Sequence, residues 1–299
     1  MYKISIKPIS LIVVAILACS CSVTQANGFS LSAGTNFTSG NYGGTTSTDI
    51  WYVPFTARYR TNRSLFRLTV PYISITGPGN VIGSGINGTA ESVTGYAGGG
   101  TGVSDVVNGA GFLLGPIGLT DVDSSNGITD ANTIKFERRT QSGLGDIIAA
   151  FTYNLIYHKT SRTTLGITGR IKIPTASTSR RLGSGHVDYA IQSDLMKSIS
   201  NFGLRATFGY RILGNPSSVN FRNVFYGGAG AGYRISSKSG VGTSFNIGQS
   251  AVHLQDSRTL SIYYSHRISN DLRLSTYGLK GLSDRSPDWG SGITLRYLF

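Results

Sequence analysis

Cysteine and charge are both scarce in this sequence. The 299 residues include two cysteines, Cys19 and Cys21, which lie near the N-terminus. No disulfide framework or cysteine-based metal site can therefore organise the remainder of the chain. Only 14% of the residues are charged, and neither a phosphate-binding loop, a dinucleotide fingerprint nor a His-x-x-x-His spacing is present. We therefore expect neither a metal nor a cofactor.

The sequence also has little net hydrophobicity. Mean hydropathy is −0.01, whereas glycine (40 residues), tyrosine (16) and phenylalanine (13) are abundant. This composition favours many strands joined by tight turns over a helical protein. The strands of a membrane barrel also give a mean hydropathy near zero, because apolar residues facing lipid alternate with polar residues facing inward.

Residues 1–26 form a predicted signal peptide, which belongs to targeting rather than to the fold. Lys3 and Lys7 supply the charged start, residues 9–18 the apolar middle, and residues 24–26 a small-residue cleavage site. The apolar middle is too short to cross a bilayer as a helix. A second interpretation takes residues 16–19 as a lipoprotein signal with Cys19 acylated. Both interpretations predict export, and cleavage after residue 26 would remove both cysteines.

The formal charge of +13 raises nucleic acid as a partner. The basic residues, however, lie singly on predicted strand faces and form neither a patch nor a helical stripe. We therefore expect no nucleic acid, and attribute the charge to a basic barrel interior or to contacts with anionic lipid headgroups.

Alternation of apolar and polar residues predicts about twelve strands, an even number as in bacterial outer-membrane barrels. Each is about ten residues long, which is enough to cross the hydrocarbon core when tilted. A single domain over residues 27–299 accounts for all of them. The predicted strands cover residues 29–38, 49–60, 65–74, 146–157, 163–173, 187–198, 204–213, 223–235, 241–248, 259–267, 272–280 and 289–299.

The predicted connections alternate between short and long. A membrane barrel sorts its connections in this way, with short turns at the periplasmic end and long loops outside. The stretch 76–141 would be the longest of them, an external loop or a plug. Short turns are expected near Asn62, Lys159, Asn201, Lys238 and Asn270, and longer loops near Asn41, Gly100, Ser179, Pro216, Gln255 and Asp284.

The last predicted strand has one aromatic and apolar face. Trp289, Ile293, Leu295, Tyr297 and Phe299 share it, and the chain stops on Phe299. This ending resembles the terminal strand of bacterial outer-membrane barrels. The resemblance implies that Tyr297 and Phe299 are an assembly signal for the outer-membrane assembly machinery, that the strand closes the barrel against the one near Phe29, and that the protein resides in a Gram-negative outer membrane among its lipids.

A more particular resemblance begins at the string SGLGDI of residues 142–147. It continues through RIKIPT at 170–175 and GSGHVDY at 183–189. These strings resemble the outer-membrane barrels of the meta-pathway of phenol degradation family, although Ala176 stands where that family usually has glycine. The resemblance implies a channel or transporter for small molecules, traditionally connected with aromatic compounds.

The inward faces of the predicted strands carry the charged residues. An interior with net positive charge predicts a preference for anions or weakly acidic aromatic solutes. An alternative is that Asp146 and Asp188, with Arg170, Lys172 or Arg211, form an ion-pair network that only stiffens the wall. The predicted pore-lining residues are Arg58, Arg67, Asp146, Arg170, Lys172, Asp188, Asp194, Arg205, Arg211, Arg273 and Arg296.

Two other classes of function stay open from the residues. A barrel that presents the stretch 76–141 to a surface, a phage or a host would be structural or adhesive. An outer-membrane hydrolase would need a nucleophile and a base, and the chain has four histidines. Ser265 and His266 fall on opposite faces of a strand, whereas His186 and Asp188 share a face without a marked serine. We therefore expect no catalytic residues.

Overall fold

The computed structural model describes residues 28–44, 46–77, 138–158, 160–215, 221–251 and 255–299. The predictions for the signal peptide, for Cys19 and for most of the stretch 76–141 lie outside these residues. Within the described part of the chain, no helix is long and apolar enough to cross a membrane.

Every described element is a β-strand, and the predicted all-β class is confirmed. The first predicted strand, which has the weakest alternation, is a full strand. The strands are β1 (Phe29–Gly40), β2 (Thr48–Arg60), β3 (Ser64–Gly77), β4 (Arg139–Leu144), β5 (Ile147–His158), β6 (Thr163–Ile173), β7 (Asp188–Ile199), β8 (Phe202–Ile212), β9 (Val224–Arg234), β10 (Ser239–Gly248), β11 (Ser257–Arg267), β12 (Leu272–Gly281) and β13 (Trp289–Leu298).

The strands form one closed antiparallel barrel. Apart from β4 and β5, each strand pairs with its sequence neighbours, and β13 returns to pair with β1 from Ser30↔Leu298 to Ser39↔Trp289. The short β4 and the longer β5 both pair with β3, one after the other, and so occupy a single position in the wall. The wall therefore has twelve positions, as predicted.

The two ends of the barrel differ in their connections. At one end, the turn end, β2–β3, β5–β6, β7–β8, β9–β10 and β11–β12 are joined by short turns. At the other end, the loop end, the connections are longer, including residues 174–187 between β6 and β7 and residues 78–138 between β3 and β4. The predicted sorting of connections is present. β3 ends at Gly77 instead of residue 74, and β4 (Arg139–Leu144) was not predicted, since its first residues belong to the stretch 76–141 that was expected to be a loop or plug.

The outer face is apolar with aromatic rings near both ends. At the loop end the Phe37 ring contacts those of Trp51 and Trp289, with centroids 4.9 and 5.2 Å away. At the turn end Phe29 lies 5.5 Å from Phe299, and Phe202 lies 4.9 Å from Tyr233. Two aromatic levels that flank an apolar band are typical of a barrel crossing a bilayer.

One residue lies on the opposite face from the one that alternation predicts. The pairing of β5 with β6 shifts register between Asn154 and Ile156, a β-bulge, and both Leu155 and Ile156 are exposed on the outer face. After the bulge Tyr157 pairs with Thr164, which is buried inside the barrel. Tyr157 therefore faces inward, although strict alternation from Phe151 and Tyr153 predicts an outward side chain, because the extra residue reverses the alternation.

Candidate pore in the barrel interior

All predicted pore-lining residues lie on the inner side of the wall. Arg211, Arg273 and Arg296 are half-buried. That the eleven predicted residues take part in passing solute stays a prediction. The remaining residues are at most 8% exposed: Arg58, Arg67, Asp146, Arg170, Lys172, Asp188, Asp194 and Arg205.

A buried lysine joins two carboxylates at the loop end. The Lys172 Nζ lies 2.8 Å from Asp188 Oδ2 and 3.3 Å from Asp146 Oδ2, and all three side chains are at most 1% exposed. It also donates to Ser184 Oγ at 3.1 Å. Lys172, one of the partners predicted for the two aspartates, contacts both. The arrangement resembles the ion-pair network that the sequence suggested as an alternative to a set of pore-lining charges.

This network fixes the connection between β6 and β7 against the barrel. Asp146 Oδ1 accepts the backbone N–H of Ala176 at 2.9 Å, and Thr175 Oγ1 donates to the Gly145 carbonyl at 3.0 Å. Further along, the Leu182 side chain is 2% exposed. The connection therefore folds onto the barrel instead of extending into solvent, and the strings that carry the family resemblance are the residues that hold it there.

The loop end of the interior also contains a buried apolar cluster, beside buried polar residues such as Thr48. Ala176 and Leu182 of the β6–β7 connection join this cluster of inward residues from several strands. Tyr42, in the β1–β2 connection, belongs to it and donates to Thr38 Oγ1 at 3.0 Å. Burial raises the pKa of the Tyr42 phenol above its ordinary range, so it stays protonated. The other members are Ile50, Tyr52, Ile73, Ile75, Ile148, Ala190, Tyr263, Tyr277 and Leu279.

A second polar network crosses the middle of the barrel on β7, β8 and β9. Asp194 Oδ1 accepts from Arg205 at 2.9 Å and from Thr207 Oγ1 at 2.7 Å, while Gln192 Nε2 donates to Asp194 Oδ2 at 2.6 Å. Tyr226 donates in turn to Gln192 Oε1 at 3.1 Å. Every carboxylate of the described inner wall thus has a basic partner, namely Lys172 or Arg205.

Arginines gather on the inner face near the turn end. Arg267, Arg273 and Arg296 stand directly opposite one another on β11, β12 and β13. On the other side of β1, Arg58 of β2 stands opposite Arg67 of β3. Arg60 lies within electrostatic reach of Arg58, Arg273 and Arg296. We call these six residues the arginine belt.

The sequence prediction missed part of this interior. The predicted pore-lining residues did not include Arg60 and Arg267 of the arginine belt. Alternation along the strand places both inside, because Arg60 lies two residues after Arg58 and Arg267 two residues after Ser265. Gln192 and Tyr226 are uncharged, and a search for charge overlooks them. Their contact depends on the register of three neighbouring strands, for which the sequence has no local signal.

The residues considered for catalysis do not assemble into a site. Asp188 contacts Lys172 and the Gly214 backbone N–H, and no hydrogen bond joins it to His186 among the described contacts. Ser265 is buried inside, whereas His266 lies on the outer face, where its Nδ1 is 2.8 Å from Ser239 Oγ. No described carboxylate hydrogen-bonds to His266. His253 lies outside the described residues, and the described part of the chain contains no cluster of potential metal ligands.

A closed barrel with an apolar outer face, two aromatic levels and a polar, basic interior defines an outer-membrane channel fold. The chain belongs to the family described as "Putative MetA-pathway of phenol degradation", whose model matches residues 76–299. The resemblance of residues 142–147, 170–175 and 183–189 to that family is thereby confirmed.

Solved structures with the same architecture share little sequence with this chain. It is similar to an outer membrane channel from Pseudomonas putida F1, with a TM-score of 0.59, 10% identity and coverage of 91% of this chain and 95% of that one. At this identity the likeness shows the fold alone. The NanC porin gives a TM-score of 0.47 at 10% identity, covering 90% of this chain and 98% of that one. A search of curated proteins found no significant match.

Proposed function

We propose that the protein is a passive channel that lets small molecules cross the outer membrane. The observation that carries the proposal is the opposite character of the two faces of one closed wall. The outer face suits lipid, whereas the inner face holds two polar networks and the arginine belt.

The arginine belt supports anions and weak acids as the preferred solutes. Like charges directly opposite on neighbouring strands repel each other, and Arg273 stands opposite both Arg267 and Arg296. A passing anion lowers that repulsion, so it is favoured over a cation of equal size. The family description supports phenolic and other weakly acidic aromatic compounds among these solutes.

Planar bilayer recordings test this proposal. The purified protein should conduct, and in a salt gradient its reversal potential should show anion selectivity. Arg273→Gln with Arg296→Gln should lower that selectivity, because both charges lie on the inner face. Arg63→Gln with Arg162→Gln removes the same number of charges from exposed turns at the same end and should leave selectivity unchanged. Absence of conductance, or cation selectivity of the unaltered protein, would contradict the proposal.

We also propose how the barrel reaches its membrane. Export begins with the signal peptide of residues 1–26, and the assembly machinery then recognises Tyr297 and Phe299. Two contacts support a terminal recognition site: the Phe299 N–H donates to the Phe29 carbonyl at 3.0 Å, and the Tyr297 and Phe299 rings are 4.9 Å apart. Both rings are about half exposed on the outer face, where another protein can reach them.

A further inference from the structure

Three tyrosines of the inner face each stand opposite a glycine on the neighbouring strand. Tyr226 of β9 pairs with Gly209 of β8, and Tyr263 of β11 pairs with Gly242 of β10. In the same way Tyr277 of β12 pairs with Gly292 of β13. All three tyrosines are at most 8% exposed. The same large side chain beside the same small residue therefore recurs at three places around the interior.

Each tyrosine ring occupies the space that a side chain at the glycine would fill. A Cβ atom added at Gly242 would overlap the Tyr263 hydroxyl and Cζ, and one at Gly209 would lie 2.6 Å from the Tyr226 hydroxyl. At Gly292 it would lie 3.0 Å from Tyr277 Cζ. Any residue other than glycine would have to displace the ring.

Two of the hydroxyls reach beyond the glycine to the next strand. Tyr263 Oη donates to the Ala231 carbonyl on β9 at 3.2 Å, and Tyr226 Oη donates to Gln192 Oε1 on β7 at 3.1 Å. The Cα of each of these tyrosines lies on one strand, and its hydroxyl bonds to a residue two strands away. The ring must therefore lie along the wall. It therefore does not point towards the barrel axis.

We propose that Gly209, Gly242 and Gly292 determine the width of the pore by holding three tyrosine rings flat against the wall. Glycine backbone leaves a hollow between neighbouring side chains, and the ring fills it. A ring displaced from its hollow moves towards the axis, because the wall is behind it, and it narrows the passage. This inference rests on the proposed channel function and adds the residues that set its size limit.

The Tyr263–Gly242 pair gives the sharpest test, since its overlap with an added Cβ is the closest. Gly242→Ala should lower single-channel conductance by at least about twofold, because the narrowest section governs passage. Tyr263→Ala should raise conductance, and adding Gly242→Ala to it should lower conductance much less than Gly242→Ala does in the unaltered protein, because only the contact of the added Cβ with the Ala231 carbonyl oxygen at 2.5 Å remains. Gly278→Ala is the matched control, because its nearest neighbour beyond the adjoining residues is the Gly290 carbonyl oxygen at 4.0 Å.

Two results would overturn the inference. One is a folded Gly242→Ala protein that conducts like the unaltered one; the other is a loss of conductance on Gly242→Ala that is as large without the Tyr263 ring as with it. A crystal structure of Gly242→Ala tests the same point independently of conductance: the ring should leave the wall and its bond to Ala231. A ring that stays in place refutes the inference, whereas an unaltered protein that never conducts refutes the channel function instead.

Discussion

A lysine without exposed side-chain surface is tolerated inside this barrel because two carboxylates face it. Moving an isolated ammonium group out of water costs several kcal/mol, which a close counter-charge offsets. Asp146 and Asp188 supply that counter-charge at 3.3 and 2.8 Å. Each carboxylate also accepts a backbone N–H, from Ala176 and Gly214 respectively. The three charges therefore form one unit that also orders two loops.

Removing the positive charge should destabilise the barrel strongly. Lys172→Met leaves two buried carboxylates facing each other without a cation between them, and we expect a loss of about 3–5 kcal/mol in the free energy of unfolding. Urea titration of the refolded barrel, followed by the mobility of the folded band in gels, measures it. Lys280→Met removes an exposed lysine and should change little.

If charge repulsion causes the loss of stability in Lys172→Met, replacing the two aspartates by neutral residues should recover that stability. Asp146→Asn and Asp188→Asn keep an oxygen that can accept the Ala176 and Gly214 N–H groups. Combined with Lys172→Met, they remove the buried repulsion while leaving those two hydrogen bonds possible. A triple variant no more stable than Lys172→Met alone would show that Lys172 acts through packing or through its bond to Ser184.

Single strands were predictable because lipid imposes a strict alternation on each of them. Every predicted strand is present, and the parity of β6 and β13 is as expected. The prediction failed where the alternation breaks: the bulge at Asn154 and Ile156 turns Tyr157 inward. For the inner networks, the sequence suggested that Asp146 and Asp188 pair with Arg170, Lys172 or Arg211, and the register that sets Lys172 opposite Asp188 brings that lysine to the pair. The contact of Gln192 with Tyr226 was not predicted, because it joins strands β7 and β9.

We expect the closing strand β13 to determine whether the barrel assembles in the outer membrane. Phe299→Ala should greatly reduce the amount of folded barrel in outer-membrane fractions, because the terminal ring is the proposed recognition site. Phe208→Ala is a close match: Phe208 is 60% exposed against 56% for Phe299, and its nearest ring is 5.6 Å away against 4.9 Å. It should assemble normally. Equal yields of the two variants would argue against a terminal signal.

The whole barrel is polarised along its axis. Its loop end holds an apolar cluster and the Asp146–Lys172–Asp188 network, whereas its turn end holds the arginine belt. Arg211 adds a positive charge at the loop end, where it stands opposite Val224. The concentration of arginines at the turn end suits the acidic group of the proposed solutes.

The wall also closes without help from its longest connection. Gly77 of β3 and Arg139 of β4 are directly opposite partners, so a short hairpin can join them. We expect that replacing residues 81–135 by a short Gly-Ser linker leaves a folded, heat-modifiable barrel. Removing residues 177–183 between β6 and β7 takes away far fewer residues, yet it should destabilise the barrel more, because Leu182 packs inside. Gel mobility before and after heating measures both, and the reverse order of stabilities would contradict this assignment of roles.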